Sequence, residues 1–73
     1  MTDLRKLFIT FEAEIRSFGF DGYKELNRAD FGDEYICEML HTRTNRKLTL
    51  VCCPRYSFIK IFRDGKLSKQ IEI

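Results

Sequence analysis

The residues with the most chemistry in them are Cys37, His41, Cys52 and Cys53. They are the candidate ligands for a soft metal. Suppose the strands around them pair so that Thr42 faces Lys47. Cys37 and Cys52 then become cross-strand neighbours, with Cβ atoms close enough to share a site. Zinc sites, however, are usually built from CxxC knuckles on turns, and this sequence has none. Unpaired cysteine is also among the residue types most often buried. The thiols therefore read as core and His41 as a strand-end histidine, with no metal and no cofactor expected.

A nucleophilic role for the same thiols needs His41 alongside and an Asp or Asn to orient it. Cysteines alternating along an apolar strand have raised pKa values and are inert. The acidic residues Asp30, Asp33, Glu34 and Glu38 match neither a paired-carboxylate site nor a calcium loop. Asp30-Phe31-Gly32 repeats a kinase tripeptide without any other kinase element. No glycine-rich phosphate loop occurs. No catalytic residue is assigned, and the chain is not read as an enzyme.

One pattern suits a polyanion. Phe58, Lys60, Phe62 and Lys69 fall together if they share a sheet face, with Arg63 and Lys66 beside the hairpin tip and Arg55 on the preceding turn. Rings for base stacking next to cations for phosphate is how sheet-surface single-strand binders work. The competing reading puts both Phe rings in the core and lets the lysines snorkel out. Charge adds to the question. Residues 1–40 hold five Lys/Arg against nine Asp/Glu, and residues 41–73 hold eight against two. Such asymmetry marks an acidic partner, or lets one half of a small fold attract the other. The pI of about 8.5 is short of the strongly basic range of nucleic-acid modules.

Whatever these side chains do, the elements that hold them are short. A chain of 73 residues supports one small domain and buries only about 60% of its unfolded surface. With 44% hydrophobic and 33% charged residues, it is globular in composition. Three cysteines, two of them adjacent, do not form an even disulfide framework; reduced thiols in a cytoplasmic setting are expected. Glu12 and Glu14 interrupt the first apolar run, so neither a signal peptide nor a membrane span is expected.

From Leu4 the apolar positions run Leu7, Phe8, Phe11, Ile15 and Phe18, one stripe of an amphipathic helix over residues 3–18. Thr2 or Asp3 is placed to cap it, and Gly19 to end it in a left-handed conformation with Phe20 packing back on Ile15. Glu12 and Arg16 are spaced as an i,i+4 pair. Residues 21–33 read as an acidic loop, with Tyr23–Leu26 a short edge strand at most. The period then changes to two. Strands are predicted over 34–41, 47–53, 57–63 and 66–72, with turns at Arg43–Arg46, at Pro54 and at Asp64-Gly65. In the last hairpin Phe62 faces Leu67, Lys60 faces Lys69 and Phe58 faces Ile71.

The predicted fold is α+β: an N-terminal amphipathic helix packed on a three- to four-stranded antiparallel β-meander. One helix cannot cover all the apolar residues of that sheet. If Tyr35, Cys37, Met39, Leu48, Leu50, Phe58, Phe62, Leu67 and Ile71 face the helix, then Ile36, Leu40, Val51, Ile59 and Ile61 face away. The turn at Pro54 leaves the parity of the last two strands open, but an outer apolar set remains either way. Monomers seldom leave such a set in water. The function expected is therefore a small cytoplasmic protein–protein interaction module. It would act as a dimer, an inhibitor or an accessory protein, through the outer sheet face or a strand edge. The alternative is a single-stranded RNA or DNA binder using Arg55, Lys60, Arg63, Lys66 and Lys69.

Overall fold

The computed structural model describes residues 4–73, so the caps expected at Thr2 and Asp3 lie outside the described residues. Helix α1 (Leu4–Phe20) is followed by strands β1 (Tyr23–Asp30), β2 (Tyr35–His41), β3 (Lys47–Cys53), β4 (Phe58–Arg63) and β5 (Lys66–Glu72). They form one antiparallel sheet in sequence order, β1-β2-β3-β4-β5. The meander thus has five strands rather than three or four.

The additional strand comes from the segment read as an acidic loop. Its polar composition suits an edge, where charges and bulges discourage pairing with other chains. β1 carries both: Leu26 is an extra residue between Glu25, opposite Met39, and Asn27, opposite Glu38. Tertiary partners hold it in place. Tyr23 packs edge-on against Phe18 of the helix and against His41 of β2, at 5.6 and 5.0 Å. Arg28 pairs with Glu12 on the helix and with Glu25. Glu12, expected to pair with Arg16, thus takes its hydrogen bonds from Arg28, and Arg16 acts on it only at longer range.

The helix runs through Gly19 to Phe20. Asp21 N–H then donates to the Ser17 and Phe18 carbonyls, and Gly22 N–H to the Gly19 carbonyl. The chain reverses at Gly22 instead, with φ +99°, a conformation that glycine reaches without strain. A side chain there would also meet the His41 ring, 3.0 Å away. Phe20 is 85% exposed and does not return to Ile15.

Leu7, Phe11 and Ile15 of α1 press onto Cys37, Met39, Leu48, Leu50, Cys52, Ile59 and Ile61 to form the core. Two registers differ from expectation. Met39 lies opposite Leu48 and Cys37 opposite Leu50, a shift of two residues from the predicted pairing. His41 N–H donates to the Arg46 carbonyl at 2.9 Å, so the loop is 42–45, with Asn45 at φ +59°. A shift of two keeps each side chain on its own face. In the last hairpin Asp64 and Gly65 both have positive φ, as a primed two-residue turn requires, and Phe62 does face Leu67. Beyond that pair Ser68 is an extra residue. Ile61 therefore faces Lys69, Lys60 faces Gln70 and Ile59 faces Ile71.

The four-residue connection Pro54–Ser57, with Ser57 at φ +57°, sets Cys53 opposite Phe58 and Cys52 opposite Ile59. This settles the parity left open at Pro54. Ile59 and Ile61, expected on the outer face, are 0% and 1% exposed beneath the helix. Phe58, Phe62 and Leu67 belong to the opposite side.

Candidate interaction surface

Alternation puts Ile36, Glu38 and Leu40 of β2 on the face away from the helix. With them lie Lys47, Thr49, Val51 and Cys53 of β3 and Phe58, Lys60 and Phe62 of β4. Lys24 and Ala29 of β1 and Leu67, Gln70 and Glu72 of β5 complete it. No element of the described chain covers this face. Its middle row runs Ala29, Ile36, Val51, Lys60 and Gln70 across all five strands. Val51 is already buried by its neighbours, and Ile36, Leu40 and Phe62 are half-buried.

Of the five proposed interface residues, the structure keeps Ile36, Leu40 and Val51 on this face and removes Ile59 and Ile61 to the core. Phe58 and Phe62 take their place. A signal for this was present in the sequence: Lys60 stands between those two rings, and a helix-covered row would have buried its charge unpaired.

The basic set is dispersed. Lys60 is on the open face, its ammonium 5.1 Å from the Phe58 ring centre. Lys69 is on the helix side, 3.8 Å from Glu14. Arg63 is also there, donating to the Tyr23 hydroxyl at 3.2 Å with its guanidinium over Phe18. Lys66 sits at the β4–β5 turn and Arg55 at the β3–β4 turn. Lys60 and Lys69 are therefore not the like-charged pair expected, because the extra Ser68 sends them to opposite faces.

One stacked cluster was not foreseen. Tyr56 and Phe58 lie nearly parallel, 16° apart with centres at 5.8 Å, and Arg55 lies over Tyr56. A shallow groove beside them is bounded by Asp33, Glu34 and Lys60. Glu34 also accepts a long contact from the Cys53 thiol at 3.8 Å. Carboxylates at this point oppose a phosphate backbone.

Charge on the open face balances. Lys24, Lys47 and Lys60 are matched by Glu34, Glu38 and Glu72, and Lys47 pairs with Glu38 at 3.3 Å. Such a surface sets Ile36, Val51, Phe58 and Phe62 among charged and polar side chains and is neutral in sum.

The thiols have no reactive setting. Cys37, Cys52 and Cys53 are all unbridged and buried. Cys37 and Cys52 face Leu50 and Tyr35 instead of each other. Burial pushes both thiols up to about 11, and burial with the nearby Glu34 raises Cys53. Among the described residues no cluster of three or more His, Cys, Asp or Glu is arranged to hold a metal ion. His41 accepts hydrogen bonds from the Arg43 and Thr44 N–H groups at Nδ1, which ties it to its turn. No helix among the described residues is long and apolar enough to cross a membrane.

No protein-family model, curated protein or solved structure matches this chain.

Proposed function

We propose that this chain is a protein–protein interaction module that works through the open face of its sheet. The observation that carries the reading is the uncovered face itself, where Ile36, Phe58 and Phe62 are half-buried around Val51 with no element over them and the charges balance. Aromatic and aliphatic side chains grouped on one uncovered face mark an interaction surface. Balanced charge speaks for a protein partner over a polyanion, which favours a net cationic surface. The strand edges are poorer candidates. β1 and β5 each carry a bulge and several charges, the features that block edge pairing.

Sedimentation velocity on the intact protein and on Thr49→Arg tests this. Thr49 lies at the centre of the face opposite Glu38, so the new cation has a partner within the fold but obstructs any surface laid over it. The unmodified chain should sediment above its 8.7 kDa monomer, and the variant at the monomer with an unchanged helical circular-dichroism signal. A monomer that binds single-stranded oligonucleotides at low salt would instead select the nucleic-acid reading.

A further inference from the structure

The open face also has a direction, and that direction selects its occupant. At one end lie the β2–β3 and β4–β5 turns, with Lys24, Arg43, Arg46, Lys47, Arg63 and Lys66 against Asp21, Glu25 and Asp64. That is six cations against three anions. At the other end lie the β1–β2 and β3–β4 connections and the end of β5, with Asp30, Asp33, Glu34 and Glu72 against Arg55. On the open face itself Lys24 and Lys47 stand at one end of the strands and Glu34 and Glu72 at the other, so this face is positive at one end, negative at the other and neutral in sum. A partner that matches this surface must offer apolar groups to Ile36, Val51, Phe58 and Phe62 and carry the reverse polarity along the strands. A second copy of this chain, turned end for end, has that pattern.

Resting on the interaction-module reading, we infer that two copies pack open face to open face about a two-fold axis perpendicular to the strands, between the Val51 and Thr49 rows. Such an axis makes a self-complementary contact, and it keeps the strands of the two sheets nearly aligned, as stacked sheets require. It lays Val51 against the second copy's Thr49 and Lys60 against the second copy's Phe62. Glu34 comes between the second copy's Lys24 and Lys47. The product is a two-sheet sandwich with the helices outside. Strands about 4.8 Å apart and about 3.4 Å long per residue give each copy a face on the order of 500 Å². Two such faces reach roughly 1,000 Å², the threshold of a specific interface. The cationic and anionic ends add orientation: the parallel arrangement, with like ends together, is opposed by charge.

Charge reversal of the Glu34–Lys47 contact gives the test. Lys47→Glu alone and Glu34→Lys alone each set like charges together twice in a homodimer. Each should weaken self-association by about ten-fold or more at low salt, with the monomer's circular dichroism unchanged. An equimolar mixture of the two variants should recover a heterodimer, because each contact is then between opposite charges. Phe62→Ser, which leaves the charges alone, should weaken assembly without any recovery on mixing. If the unmodified chain assembles but the charge variants assemble equally well, or show no preference for each other, this arrangement is wrong and the module reading stands. A chain that stays monomeric up to millimolar concentration overturns both.

Discussion

The two faces of this sheet are made from the same strands, and they differ in where their charges sit. Beneath the helix, Cys37, Met39, Leu48, Leu50, Cys52, Ile59 and Ile61 form an unbroken apolar field. Charges on that side are confined to the margins, where Arg28 reaches Glu12 and Lys69 reaches Glu14. On the open face Glu38, Lys47 and Lys60 stand among Ile36, Val51, Phe58 and Phe62. A lysine or glutamate in mid-sheet needs solvent, a charged partner or, for lysine, a ring face such as Phe58 offers Lys60, so the core stripe of the chain's own helix goes to the other face. The comparison teaches that apolar content alone does not say which side is core. The position of the charges within each row does.

The strongest way to break this contrast is to put a charge on each side in turn. Ile61→Asp places an unpaired carboxylate among fully buried side chains and removes a core hydrophobe. It should destabilise by about 4 kcal/mol or more, enough to unfold most of a domain whose whole stability is about 4–11 kcal/mol. Loss of the helical signal in circular dichroism with temperature checks it. Phe62→Glu, one residue along the same strand, should leave stability within about 1 kcal/mol while lowering the sedimenting mass to the monomer. Equal unfolding by both variants would mean that the open face is core.

The thiols sharpen the contrast through pH. Cys37 and Cys52 ionise near 11 when folded, against an ordinary value of 9.0. The unfolded chain therefore loses these protons first. The resulting stability is complete below pH 9 and is lost as pH rises from about 9 to about 11. Chemical denaturation at pH 8, 9.5 and 10.5 should show a falling midpoint, and Cys37→Ala should flatten the decline. At pH 8 the folded protein should resist alkylation, whereas the denatured protein should take up three labels.

The smallest effect expected is at the margin of the helix side. Glu12 and Arg28 are each close to half exposed, and exposed ion pairs contribute about 0–1 kcal/mol. Arg28, which favours its charged state, holds the Glu12 carboxyl below its ordinary value. The pair therefore adds what stability it does above the ordinary carboxylate pKa, and loses it as pH falls. Glu12→Gln should shift the midpoint by no more than that amount. A larger shift would show that β1 is held mainly by this contact and less by Tyr23 against Phe18.

By itself the sequence determined what rests on local geometry. Period 3.6 from Leu4 to Phe18 set the helix and its buried stripe, and Leu7, Phe11 and Ile15 are the residues it buries. Asp64-Gly65 set the last hairpin, because few residues adopt positive φ twice in succession. Strands β2 to β5 follow from alternation, as does the presence of a surplus apolar face. What depended on contacts between distant segments was not legible. β1 is a strand because Tyr23 and Arg28 find partners on the helix, which its own composition does not announce. Gly19 stays helical because Gly22, three residues later, makes the reversal against His41. Ile59 and Ile61 lie under the helix because a four-residue turn at Pro54 pairs Cys53 with Phe58. Lys60 and Lys69 part company because Ser68 bulges. A strand's period of two fixes which side chains share a face, but only the turn before it decides which face that is.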